Sequence, residues 1–65
     1  MERLYELDGE VGMNNLYSVW VEGREVTNSF IEFVDADYLA SQYVRDGYEN
    51  VKVVLVFTIN QRRNK

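Results

Sequence analysis

No cysteine, histidine or proline occurs in this chain of 65 residues, and each absence removes a class of explanation. Without cysteine there are no disulfide staples, and without cysteine or histidine the ligand sets of structural zinc are missing. Histidine acid–base catalysis, cysteine nucleophiles and Ser-His-Asp arrangements disappear with them. With no proline, repeat or low-complexity stretch there is no sign of a linker, so residues 1–65 read as one small domain. Long apolar runs are also lacking: the longest, Val53 to Phe57, is far too short to cross a bilayer. The start Met1-Glu2-Arg3-Leu4 has no basic region followed by a long apolar one, so a soluble protein of the cytoplasm is expected. A domain this small lies near the lower limit at which one hydrophobic core sustains a fold, so tight packing or association must replace the missing staples.

Charge is present but uneven. Residues 1–50 hold all eleven acidic groups against only Arg3, Arg24 and Arg45, a net of −8, whereas the whole chain carries −4. The remaining cations, Lys52, Arg62, Arg63 and Lys65, come after residue 50 without any acid. An acidic body repels nucleic-acid backbones and attracts basic protein surfaces; it also keeps a protein dispersed. The ending Asn60-Gln61-Arg62-Arg63-Asn64-Lys65 reads as a flexible basic tail. It lacks an aromatic platform, so direct nucleic-acid binding is not expected.

The most informative segment is Val51 to Ile59. One alternate set, Val51, Val53, Leu55, Phe57 and Ile59, is wholly apolar; the other, Lys52, Val54, Val56, Thr58 and Asn60, keeps two central valines. Period-2 side chains point to opposite faces, so this strand needs cover on both. Leu16 to Glu22 is a second strand, with Tyr17, Val19 and Val21 on one face and Ser18, Trp20 and Glu22 on the other. A short connection at Gly23-Arg24 leads to a return strand over Val26 to Phe33, and Asn28 and Ser29 predict a bulge or shortened pairing within it. Arg3 to Leu7 reads as a brief edge strand or a docked arm, set apart by the turn-rich Asp8-Gly9 and Gly12 to Asn15.

One helix is predicted over about 36–46. Asp35 has the chemistry of an N-cap, Asp37 adds negative charge to the first turn, and Val34 and Leu39 have the spacing of a hydrophobic staple. Ala36, Leu39, Ala40, Tyr43 and Val44 make one apolar stripe, and Gly47 sits where a helix ends, with Tyr48 just beyond. The expected fold is α+β in the order β-β-α-β. Its sheet is antiparallel or mixed, of three strands or four, with the helix on one face. The stripe is expected to cover Val51, Val53, Leu55 and Phe57 beside Tyr17, Val19 and Val21. Trp20, Val54, Val56 and Thr58 then lie on the open face.

No catalytic, cofactor-binding or metal-ligating residues are expected, and the chain does not read as an enzyme. Asp35 and Asp37, two apart at a helix start, do not face one another as a catalytic pair would. Asp8-Gly9-Glu10 lacks the repeated acids and closing glutamate of a calcium loop. Trp20, Val54 and Val56 are the candidate self-association residues, because tryptophan is enriched at interface centres, and a homodimer is expected there. The candidate acidic recognition surface comprises Glu22, Glu25, Glu32, Asp35, Asp37, Asp46 and Glu49. In size, acidity and missing catalytic residue types, the chain resembles the small early proteins with which bacteriophages inhibit host factors, including DNA mimics that block nucleoid proteins or nucleases. The resemblance implies a protein-binding inhibitor acting in the host cytoplasm. Its carboxylates would occupy the basic surface of a nucleoid or other nucleic-acid-binding protein. A structural homodimer without a separate target is the competing expectation.

Overall fold

The computed structural model describes residues 5–59; the basic tail expected over 60–65 and residues 1–4 lie outside the described residues. The chain forms β1 (Glu6–Asp8), β2 (Asn15–Val21), β3 (Arg24–Glu25), β4 (Ile31–Glu32), α1 (Phe33–Arg45) and β5 (Val51–Thr58). The fold is α+β, with one helix on a mixed sheet ordered β1-β5-β2-β3, and β4 also pairs with β2. Strand β5 runs antiparallel to β2 and parallel to β1, so the most apolar segment of the sequence occupies the middle of the sheet. The described part of the N-terminal segment accordingly includes an edge strand, Glu6–Asp8, in the plane of the sheet.

The return strand is shorter than the residue types predicted, and its turn lies one residue earlier. Glu22 and Gly23, both with positive φ (53° and 82°), form the two-residue connection that suits a right-handed hairpin twist. Trp20 pairs with Glu25 and Val21 with Arg24, and β4 then resumes pairing at Tyr17–Ile31 and Leu16–Glu32. Five residues, 26–30, thus stand against two of β2, a bulge in the region of Asn28 and Ser29. The Val26 amide still donates to Val19 O (2.9 Å), and the Val19 amide donates to Thr27 Oγ1 (3.2 Å), so the interrupted ladder keeps its partners.

The helix begins three residues before the sequence places it. Glu32 is the N-cap and makes no side-chain capping bond, while Asp35 lies inside the first turn and Val34 is helical and exposed, so neither the Asp35 cap nor the Val34–Leu39 staple forms. Packing outweighs the cap signal. Starting at Phe33 extends the apolar stripe by one turn and brings that ring edge-on to Tyr17, with centroids 5.4 Å apart. The buried stripe residues are Ala36 and Ala40, whose small side chains let the helix lie close to the sheet. At the other end Gly47 (φ 96°) follows the Asp46 C-cap. Its amide donates to Val44 O (3.0 Å) and the Tyr48 amide to Tyr43 O (3.1 Å), which closes a Schellman motif. The Tyr43 and Tyr48 rings meet edge-on across it at 5.2 Å.

The core unites Tyr5, Tyr17, Val19, Val21, Val51 and Val53 with the two helical alanines. A polar knot centred on buried Asn15 and Tyr17 borders it. Tyr17 Oη donates to Glu10 O, Asn15 Nδ2 donates to the same carbonyl (3.1 Å), and Thr58 Oγ1 donates to Asn15 Oδ1 (2.9 Å). This knot ties loop 9–14 to the end of β5. Buried Tyr5 similarly donates its hydroxyl to Asp37 Oδ1, linking the start of β1 to the helix.

Candidate functional site

Because α1 covers one face of the sheet, the geometry of the other is set by strand register. Residues paired across neighbouring strands share a face. The pairings Glu6–Lys52, Lys52–Trp20 and Trp20–Glu25 therefore make one row across four strands, and Asp8–Val54–Ser18 makes the next. Leu16 pairs with Glu32 on one side and Phe57 on the other, completing a third row.

Phe57 in this third row departs from the expectation that it joins Val51, Val53 and Leu55 under the helix. Tyr17 pairs with Leu55 and Leu16 with Phe57, which leaves Val56 as the extra residue of a β-bulge. A bulge shifts the alternation by one, so Phe57 falls in step with Leu16 and stands away from the core, 54 % exposed. Val56 is 41 % exposed, and Val54 and Trp20 are half-buried. Thr58, expected on the open face, instead pairs with Asn15 and bonds its side chain.

Trp20 supplies part of its own cover. Its Nε1–H donates to Ser18 Oγ at 3.0 Å, so the indole leans along β2 over Ser18, which is only 2 % exposed although it points away from the helix. On the side towards β5 the indole borders a groove of about 450 Å³ lined by Gly23, Asn50, Lys52 and Val54. The described part of the N-terminal segment, β1, lies beyond β5 in the sheet and does not fold over Trp20.

The apolar centre is edged by carboxylates. Glu6 and Asp8 stand on β1, Glu25 on β3 and Glu32 on β4, all exposed and all in rows of this face, with Lys52 as the single cation in those three rows. Only Glu25 and Glu32 belong to the seven acids singled out from the sequence. Asp35 and Asp37 ride on the helix, Asp37 holding the Tyr5 hydroxyl. Glu22, Asp46 and Glu49 gather near the helix C-terminus, where Glu22 Oε2 accepts from the Glu49 amide at 3.4 Å and Asp46 caps the helix. Asp35 and Asp46, eleven residues apart, are separated by about 16 Å along the helix axis. The seven thus divide among the open face, the helix and its C-terminal end.

Trp20 and Val54 line one groove of the open face, whereas Val56 lies further along β5, at the bulge beside Leu16. Leu16, Phe57, Glu6 and Asp8 join them there. The last two carried a signal: Glu6-Leu7-Asp8 alternates polar, apolar, polar, the pattern of an edge strand with one buried face. Leu7 indeed packs against the core. The chain matches no protein-family model, and neither a curated protein nor a solved structure matches it.

Proposed function

We propose that this chain is a non-enzymatic protein-binding module, an inhibitor that lays its open sheet face on a basic surface of a target protein. The observation that supports this reading is the coincidence, on one face, of an apolar centre (Leu16, Trp20, Val54, Val56, Phe57) with a carboxylate rim (Glu6, Asp8, Glu25, Glu32). A buried apolar centre gives affinity, and a charged rim selects the partner and speeds encounter. The carboxylates would stand where a nucleic acid offers phosphates, so a nucleic-acid-binding protein is the target class that fits. The sheet edges are poor alternatives. Strand β1 is three residues long and the β3/β4 edge is interrupted by the 26–30 bulge, features that block strand addition.

The test is capture from a host lysate on the immobilised chain at low salt, compared with Glu6→Gln/Asp8→Asn/Glu25→Gln/Glu32→Gln and with Asp35→Asn/Asp46→Asn. Basic proteins should be retained by the parent and by the helix variant, released by salt, and lost by the face variant. Equal retention by all three would contradict the reading.

A second copy is the other occupant such a face admits, and exposed Phe57 and Val56 favour it. Two copies stacked face to face would set carboxylate rims against one another, which like-charge repulsion opposes. Sedimentation at micromolar concentration separates the readings. A dimer that Val54→Lys converts to a folded monomer would support self-association, whereas a monomer supports the heterologous partner.

A further inference from the structure

We infer that the open face takes an extended segment of its partner, crossing the strands and carrying the pattern basic–x–apolar–x–basic; this rests on the partner reading above. The row Glu6–Lys52–Trp20–Glu25 spans β1, β5, β2 and β3 and ends in a carboxylate at each side. Three gaps between strands, at about 4.8 Å each, separate those ends by about 14 Å. The groove beside Trp20, lined also by Val54 and Lys52, opens between them.

An extended chain advances about 3.4 Å per residue and points every second side chain the same way, so positions i, i+2 and i+4 share a face and span about 14 Å. The outer two then reach Glu6 and Glu25 while the central one enters the groove. A helix presenting i, i+4 and i+7 spans only about 10.5 Å, short of the row. Charge fixes the sign of the outer residues: the two ends of the row are anionic. Lys52, the one cation within it, stands in register between Glu6 and Trp20. Trp20 and Val54 give an apolar central residue surface to cover, and Lys52 beside them opposes a third basic residue there.

Trp20 is the chain's one tryptophan, so its emission reports this site without a label. The full chain is titrated at low salt with acetyl-Arg-Ser-Leu-Ser-Arg-amide and with the same residues reordered as acetyl-Ser-Arg-Leu-Arg-Ser-amide. The first should shift Trp20 emission saturably and bind at least fivefold more tightly than the second. Replacing both arginines by citrulline, which keeps shape and removes charge, should weaken it at least tenfold. Glu25→Gln should erase the preference for the first peptide while the protein keeps its circular dichroism. Equal binding of the two peptides overturns the spacing but leaves the partner reading in place, because both carry the same charge. No response of Trp20 to either peptide overturns the inference; if capture also fails to distinguish the face variant, the partner reading falls with it.

Discussion

Replacing Gly9 by alanine probes the joint on which half of the acidic rim depends. Gly9 follows β1 directly and has φ of 116°, a conformation that a side chain opposes. A β-carbon placed there would lie 2.4 Å from Leu55 Cβ and 3.0 Å from its Cδ2, on the central strand of the sheet. Two costs add. The backbone conformation accounts for about 1–2 kcal/mol and forced overpacking against a fixed strand for about 1–3 kcal/mol, giving about 2–5 kcal/mol. Gly47→Ala is the matched control: φ is 96°, yet nothing lies within 4 Å of the new carbon, so only the backbone cost applies. A 65-residue domain holds roughly 3–10 kcal/mol in all, and each kcal/mol moves its melting temperature by about 4–8 °C. In thermal circular dichroism, Gly9→Ala should therefore melt at least about 10 °C below the parent and clearly below Gly47→Ala. If the two variants melt within about 3 °C of one another, the close approach of loop 9–14 to Leu55 is wrong, and with it the placement of β1.

Named contacts set three further outcomes. Tyr17→Phe removes a fully buried hydroxyl that donates to Glu10 O, and should cost about 1–2 kcal/mol in urea denaturation, whereas exposed Tyr38→Phe should cost almost nothing. Phe57→Ser, at a side chain the bulge leaves outside the core, should cost no more than about 1–2 kcal/mol, short of the about 3–5 kcal/mol of a core aromatic, and lower the binding of a hydrophobic dye. Lys52→Met removes the cation beside Glu6 and should strengthen capture of basic proteins several-fold at low salt; weaker capture would mean that the rim is not what the partner contacts.

How much of this was legible in the residues differs between elements. The helical stripe, the Gly47 stop and the two apolar strands could be read because periodicity and a C′ glycine are local signals. Tyr17, Val19, Val21, Val51 and Val53 form the core the alternation indicated. Alternation failed at Phe57, since a one-residue bulge at Val56 inverts the faces of the residues after it, and nothing in Leu55-Val56-Phe57 marks where a strand will bulge. The helix start was misplaced because Asp35 is a good cap in isolation, while the contact that wins, Phe33 on Tyr17, joins residues distant in sequence. The acidic residues could be counted but not grouped. Which carboxylates share a face depends on cross-strand register: Glu6 meets Lys52 and Glu25 meets Trp20 only once the sheet is assembled.

The central claim is that a basic protein docks on the sheet face opposite the helix, and side-chain signals test it most directly. The full chain, labelled for observation of its valine methyls and the Trp20 indole, is titrated with a basic protein recovered by salt-sensitive capture. Docking on this face predicts that Trp20, Val54 and Val56 shift or broaden together, while Val34, exposed on the helix, stays in place. Movement of Val34 with Trp20, Val54 and Val56 unchanged would contradict it.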